Sequence, residues 1–303
     1  MRLCGKNPIL KHQLIEWRTV ALFLLTYLCF LLLTLSYQWL PWWLILPLGS
    51  AVLALYGSLQ HEVIHGHPTR FRKFNEALVF PSLWLWLPYA LYRDSHLQHH
   101  KNELISDPFD DPESFYVSSA AWQTMGRLRR SLYWLRNTLL GRLVAGPLWV
   151  LISFLKGELL LCLQGDGYRA KVWSLHLISV IATLLWLSYC EIPLIVYFLL
   201  FIYPSLSLTL LRSFLEHQAD PVPAHRTVIV QSQAFFSLLF LNNNLHALHH
   251  EQPGIPWYQL PSVWNEDRQN ILKRNGGYYY PGYFSIFKQF LLTPKVHPRH
   301  PQA

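Results

Sequence analysis

Residues 19–69 read TVALFLLTYLCFLLLTLSYQWLPWWLILPLGSAVLALYGSLQHEVIHGHPT. No Lys or Arg interrupts them, and the only acid, Glu62, stands near the end. The hydrocarbon core of a bilayer takes roughly 20 apolar residues of helix to cross, so the stretch holds two spans and a turn. The turn falls at Tyr37, Trp39, Pro41, Trp42 and Trp43, side chains that settle at the level of the lipid headgroups. Residues 172–211 repeat the pattern. They contain no Lys or Arg, one acid in the middle (Glu191), and a turn through Cys190, Glu191, Ile192 and Pro193.

These stretches predict an all-α, polytopic membrane protein built on two transmembrane hairpins, with four spans near 19–38, 42–60, 172–189 and 194–211. The composition agrees: of 303 residues, 52% are apolar and only 14% charged, with mean hydropathy +0.18, which excludes disordered and ordinary soluble domains. Because neither hairpin turn carries Lys or Arg, the positive-inside rule assigns residues 61–171 and 212–303 and both termini to the cytoplasm. Residues 1–303 are expected to fold as one domain with a cytoplasmic helical cap. A cleaved signal peptide is the competing reading of Lys6, Lys11 and Arg18 before an apolar run, but no small-residue cleavage site follows and a second span comes at once.

The remaining features are permissive. The net charge of +8 comes with no basic helix or nucleic-acid module and fits contact with anionic lipid heads. Cys4, Cys29, Cys162 and Cys190 form no close-spaced framework, so neither disulfides nor a thiolate metal site is expected. Residues 76–92 are apolar but broken by Pro81 and Pro88, and should dip into the interface or pack on the spans. Residues 101–171 mix Arg127, Arg129, Arg130, Arg136 and Arg142 with Trp122, Trp134 and Trp149, a pattern for helices on the cytoplasmic surface.

The chemistry lies in the histidines. His61 and His65 are spaced i, i+4; His96, His99 and His100 are spaced i, i+3, i+4; His246, His249 and His250 repeat that spacing. On a helix each set leaves from one face. His61 sits where the second span emerges, His217 follows the fourth span closely, and the other clusters belong to segments on the same side. All can converge just outside the bilayer. Nine imidazoles exceed what one ion can use, which implies two ions; imidazole suits zinc, copper, nickel and iron. His12, His176, His225, His297 and His300 are read as ordinary core or surface residues, and His67 as either a supporting or an exposed one.

Two other classes compete. His61-Glu62-Val63-Ile64-His65 is a literal HExxH, the signature of zinc proteases, but a membrane protease would leave both HxxHH clusters unused. A metal transporter predicts polar groups at membrane depth, where the spans offer little beyond His176, Thr26, Thr183 and Ser179.

The boxes HEVIH at His61, HLQHH at His96 and HALHH at His246, set on two hairpins, resemble those of the membrane-bound fatty acid desaturase and hydroxylase superfamily. The resemblance covers the chain from the first span to about Pro261. It implies a non-haem di-iron centre that uses O2 and two external electrons to remove hydrogen from an unactivated C–H bond, with His61, His65, His96, His99, His100, His217, His246, His249 and His250 as ligands. Zinc has no redox change to contribute to such a reaction; iron does. Glu62 and Glu216 are the expected supporting carboxylates, and Asp94, Glu103, Asp107, Asp110, Asp111, Glu251 and residues 242–244 are further candidates for orienting the ligands.

The resemblance implies an oxygen-dependent fatty acid (acyl lipid) desaturase of a bacterial inner membrane. A hydroxylase or ketolase acting on an alkyl chain or carotenoid is the alternative. Ser213 stands where animal acyl-CoA desaturases have Asn, and the Glu216-His217 pair is similar to the alkane-hydroxylase branch. Asp110-Asp111-Pro112 and the run from His249 to Pro261 are similar to carotenoid ketolases and to some bacterial desaturases. No haem-binding or flavin motif is present, so a separate donor of ferredoxin or cytochrome b5 type is expected, with Arg127, Arg129, Arg130, Lys273 and Arg274 as candidate docking residues.

Overall fold

The computed structural model describes residues 14–101, 103–232 and 234–303 and is predominantly helical; Cys4, Lys6, Lys11 and His12 lie outside them. Five helices are long and apolar enough to cross a membrane: Trp17–Leu35, Trp42–Ile64, Gly146–Leu163, Gly167–Tyr189 and Leu194–Ser213. Four are the spans expected from the two uncharged stretches. The fifth, Gly146–Leu163, is a correction to the count, since Lys156 and Glu158 interrupt it and hide it from a search for uncharged runs.

Contacts at the helix ends define two faces. Ile15 bridges Thr69, and the Glu16 N–H donates to the Pro68 carbonyl at 3.0 Å, so the first span begins where the second ends. The Tyr168 hydroxyl bonds Asp94, which places the start of Gly167–Tyr189 on the same face. At the opposite face the hairpin turns meet, Gln38 Nε2 donating to Glu191 Oε2 at 3.4 Å. Both ends of Gly146–Leu163 lie toward the first face. A Cβ on Gly146 would come within 2.9 Å of Leu210, near the end of the last span, and Glu158 pairs with Arg169 in the first turn of Gly167–Tyr189. Its outer side, with Leu148, Ile152, Leu159 and Leu163 exposed, suits a helix lying in the interface.

Residues 80–88 pack among the spans, with Leu83 and Trp84 in the core beside Tyr56, Tyr197 and Phe201. Non-helical backbone at this depth survives only where protein groups satisfy it. Here Tyr56 donates to the Val79 and Pro81 carbonyls at 3.1 and 2.9 Å, Tyr197 donates to Leu83 at 2.7 Å, and His176 Nε2 lies 2.9 Å from the Leu85 oxygen. His176 is thus an interior structural residue. In the last span Pro204 has no N–H to complete the helical ladder, and a π turn at Phe198–Ile202 precedes it.

Gly49 lets that span close on the second: a Cβ there would lie 2.7 Å from the Phe201 ring. Gly49→Val should overpack the contact and destabilise the protein by about 1–3 kcal/mol, read as a lower thermal midpoint in detergent. An unchanged midpoint would show that the two spans separate freely.

The cap lies on the first face. A short parallel pair, Ile229–Val230 with Tyr279–Tyr280, fixes the segments around the last histidine box. The Val228 N–H donates to Glu216, the Ala247 N–H to Val228 and the Val230 N–H to Asn244, so one short strand ties the His217 segment to the helix carrying His246.

Candidate metal centre

Each histidine box is placed by a helix end. His61 lies in the last turn of Trp42–Ile64, with His65 just beyond it; His96 and His99 end Tyr89–His99, with His100 as its cap; His246, His249 and His250 occupy His246–Glu251. Before that last helix the chain turns through Leu241 and Asn242 at positive φ, a backbone state asparagine tolerates better than most residues. The Asn242 side chain secures the turn by donating to the Trp257 carbonyl at 2.9 Å.

All nine clustered histidines come together, and they divide. His61, His65, His96, His100 and His249 form one set, and His99, His217, His246 and His250 the other, the candidate ligand atoms of each set lying within 4.8 Å of one another. The sets adjoin, the His100 and His250 rings being stacked at 4.2 Å. Nε2 atoms face Nε2 atoms: in the first set His65–His96 at 3.1 Å, His96–His100 at 2.9 Å and His100–His249 at 3.0 Å. In the second they are His99–His217 at 2.8 Å, His217–His246 at 3.0 Å and His246–His250 at 3.1 Å. Buried His61 Nε2 has no hydrogen-bond partner among the described residues.

Acceptors on the outer sides of the rings decide what these contacts mean. His96 Nδ1 lies 3.0 Å from Glu113, His99 Nδ1 2.8 Å from Asp111, and His246 Nδ1 3.1 Å from Asn243 Oδ1. An acceptor at Nδ1 holds the proton there and leaves Nε2 as a lone pair. The inward nitrogens of these three rings are then open to a cation, and the other Nε2 atoms gathered about 3 Å from them complete a shell of donor atoms. Nitrogens about 2.1 Å from a shared ion and at right angles lie about 3.0 Å apart, so the donor sets fit metal ions.

The electrostatics favour neutral ligands. Burial, reinforced by neighbouring imidazoles, holds His65, His217, His246, His249 and His250 well below the ordinary histidine value and His100 at about 3. His99 differs: burial alone would lower it, but Glu113, Asp111 and Glu216 outweigh that and raise it to about 9.

The chain matches the family model described as fatty acid desaturase over residues 37–282. The chain belongs to the fatty acid desaturase family. No individual curated protein matches it. The matched region contains all nine histidines, and the family is one of metal-using oxidoreductases, in keeping with two histidine sets able to hold metal.

The other candidates of this desaturase-family chain sort by what they touch. Glu216 lies 2.9 Å from Arg212 Nε and 3.7 Å from His246 Nδ1, beside the second set but outside hydrogen-bond reach of it. Glu62 accepts from the Trp257 N–H at 3.3 Å and makes no hydrogen bond to any of the nine. Asp94 pairs with Arg93 and Glu251 with Arg274. Asp107 caps the turn at Phe109 and Asp110, and Asn244 donates to Val230. The Glu103 and Asp110 carbonyls, rather than their carboxylates, accept from Arg226 and Gln98. His67 pairs with Glu16 at 2.6 Å, while His225, His297 and His300 lie away from both sets, His297 between Trp122 and Trp134. Glu113, which touches both sets, was not among the expected residues; its only signal is its place in the acidic run after the second box.

A cavity of about 560 Å³ reaches the centre at Glu113, Glu216 and His217 and runs back along Trp84, Trp86, Trp149 and Leu206. Its wall is mainly apolar.

Proposed function

We propose that this chain is an oxygen-dependent desaturase of acyl chains that works through a di-iron centre at the cytoplasmic face of a bacterial inner membrane. The observation that carries the reading is the division of nine histidines into adjoining sets of five and four, with Nε2 atoms facing inward. Iron held there would supply the redox change and oxygen activation that an unactivated C–H bond demands. In the balance, two hydrogens leave the chain, and O2 with two electrons and two protons ends as two waters.

The protein's own contribution is placement. Asp111, Glu113 and Asn243 fix the ring orientation of one or more ligands in each set, which sets ligand basicity and geometry. The cavity lays a chain beside His217 and Glu113 while its aromatic wall excludes water. Electrons come from a separate acidic donor of ferredoxin or cytochrome b5 type. Exposed Arg127, Arg129 and Lys273 are available to receive it; Arg274 is already paired with Glu251 and Asp267, and Arg130 lies over Trp122. The second reading, insertion of oxygen by a hydroxylase or ketolase, is favoured by Ser213 and the Glu216-His217 pair.

One experiment separates these outcomes. Protein purified from aerobic, iron-supplied cells should carry about two irons per chain, and lipids of the expressing cells should lose the mass of two hydrogens. Gain of an oxygen would establish the second reading. One zinc per chain with unaltered lipids would overturn both and revive the protease.

A further inference from the structure

The cavity beside the centre carries positive charge that its acids do not balance. Arg136 and Arg142 line it, and among the described residues neither forms an ion pair with a carboxylate. The wall's own acids are committed, Glu216 to Arg212 at 2.9 Å and Glu113 to His96 at 3.0 Å. Arg136 reaches only the Phe115 carbonyl at 3.4 Å and lies over the Tyr133 and Trp149 rings. Arg142 Nε is buried with no hydrogen-bond partner among the described residues. Burial lowers Arg142 to about 9, and Arg136 adds repulsion. A third cation, Lys295, lies 3.5 Å over the Phe115 ring; burial and the same two arginines push it well below its ordinary value.

Half-buried arginines without a counter-charge carry a desolvation cost, and a guanidinium is shaped to grip a carboxylate or phosphate with two parallel bonds. From these arginines the cavity wall continues through Trp149, Phe154, Trp86 and Leu206, a surface for an alkyl chain. We propose that Arg136 and Arg142 seat the anionic head group, carboxylate or phosphate, of an amphiphilic substrate whose chain lies along this apolar wall. The proposal rests on the acyl-chain reading above and narrows it: a neutral hydrocarbon would leave the cations unanswered.

Binding can be read without turnover. The full-length, iron-loaded protein in a neutral maltoside detergent is titrated with a brominated long-chain fatty acid, a brominated lysophosphatidylglycerol and the matching brominated fatty alcohol, following quenching of the cavity tryptophans. At least one anionic amphiphile should bind about tenfold or more tightly than the alcohol, a margin that charge-assisted pairing readily supplies. Tighter binding of the acid identifies a free fatty acid as the source, and tighter binding of the lysolipid identifies a membrane lipid. Arg136→Gln with Arg142→Gln should remove the margin and leave alcohol binding unchanged. Equal affinity of alcohol and both anions for the unaltered protein overturns the proposal, as does a parallel loss of all three in the double variant. If the double variant does not fold, the comparison on unaltered protein decides. A chain that prefers anions yet changes no lipid overturns only the desaturase reading.

Discussion

His249→Ala and His99→Ala should each abolish product formation in protein that still inserts in the membrane, whereas His297→Ala should leave activity intact. His249 belongs to the five-histidine set, its Nε2 3.0 Å from that of His100, and His99 belongs to the four-histidine set, its Nε2 2.8 Å from that of His217. Each change would remove a donor from a different one of the two proposed ions. The loss should exceed the roughly 10–100-fold that even an outer partner of a metal ligand contributes. Iron analysis should fall from about two per chain toward one in both variants. His297 is exposed beside Trp122 and Trp134 and near neither set. Product is measured by mass spectrometry of lipids and insertion by membrane fractionation. Three variants of equal activity would refute the assignment of either set.

The pattern of what could be read from the chain follows from where physical constraints act on single segments. Lipid forbids charge over a whole span, so residues 19–69 and 172–211 announce themselves. The helix Gly146–Leu163 does not, because Glu158 is neutralised by Arg169 on a different helix, a pairing that no single segment reveals. The histidines of the boxes were legible because a shared helical face imposes i, i+3, i+4 spacing. His217 has no such spacing, and its position rests on a bridge to Thr227; only its closeness to the end of a span marked it. Their division into sets was not legible at all: His99 and His100 are adjacent in sequence yet face different sets, because neighbouring side chains on a helix diverge by about 100°. The same divergence turns Glu62 from His61 toward Trp257. Arg136 and Arg142 looked like surface charge until the fold placed them in a cavity whose acids, Glu113 and Glu216, lie against other partners.

Glu113→Gln carries the other large expectation, and the reason lies in the seam between the sets. One carboxylate oxygen of Glu113 lies 3.0 Å from His96 Nδ1, and the other lies 3.9 Å from His99 Nε2, so a single side chain reaches a member of each. Its backbone is fixed too, its N–H donating at 2.9 Å to Asp111, which also bonds His99. Burial pushes its carboxyl up, but His99, His96 and Arg212 more than offset this and hold it well below the usual carboxylate range. It is therefore a settled negative charge where two metal ions would meet. Glutamine keeps the shape and one acceptor for His96 but cancels the charge. The expected cost is about 10–100-fold in iron retention or turnover, without loss of inserted protein. Glu251→Gln is the matched control. Glu251 meets Arg274 at the surface, where ion pairs contribute about 0–1 kcal/mol, and its loss should leave iron unchanged. Dialysis against a chelator followed by Mössbauer spectroscopy separates a positioning role from general instability, because only the former alters the remaining iron signal. Identical iron retention and spectra in the two variants would mean that the charge at the seam does no work on the metal.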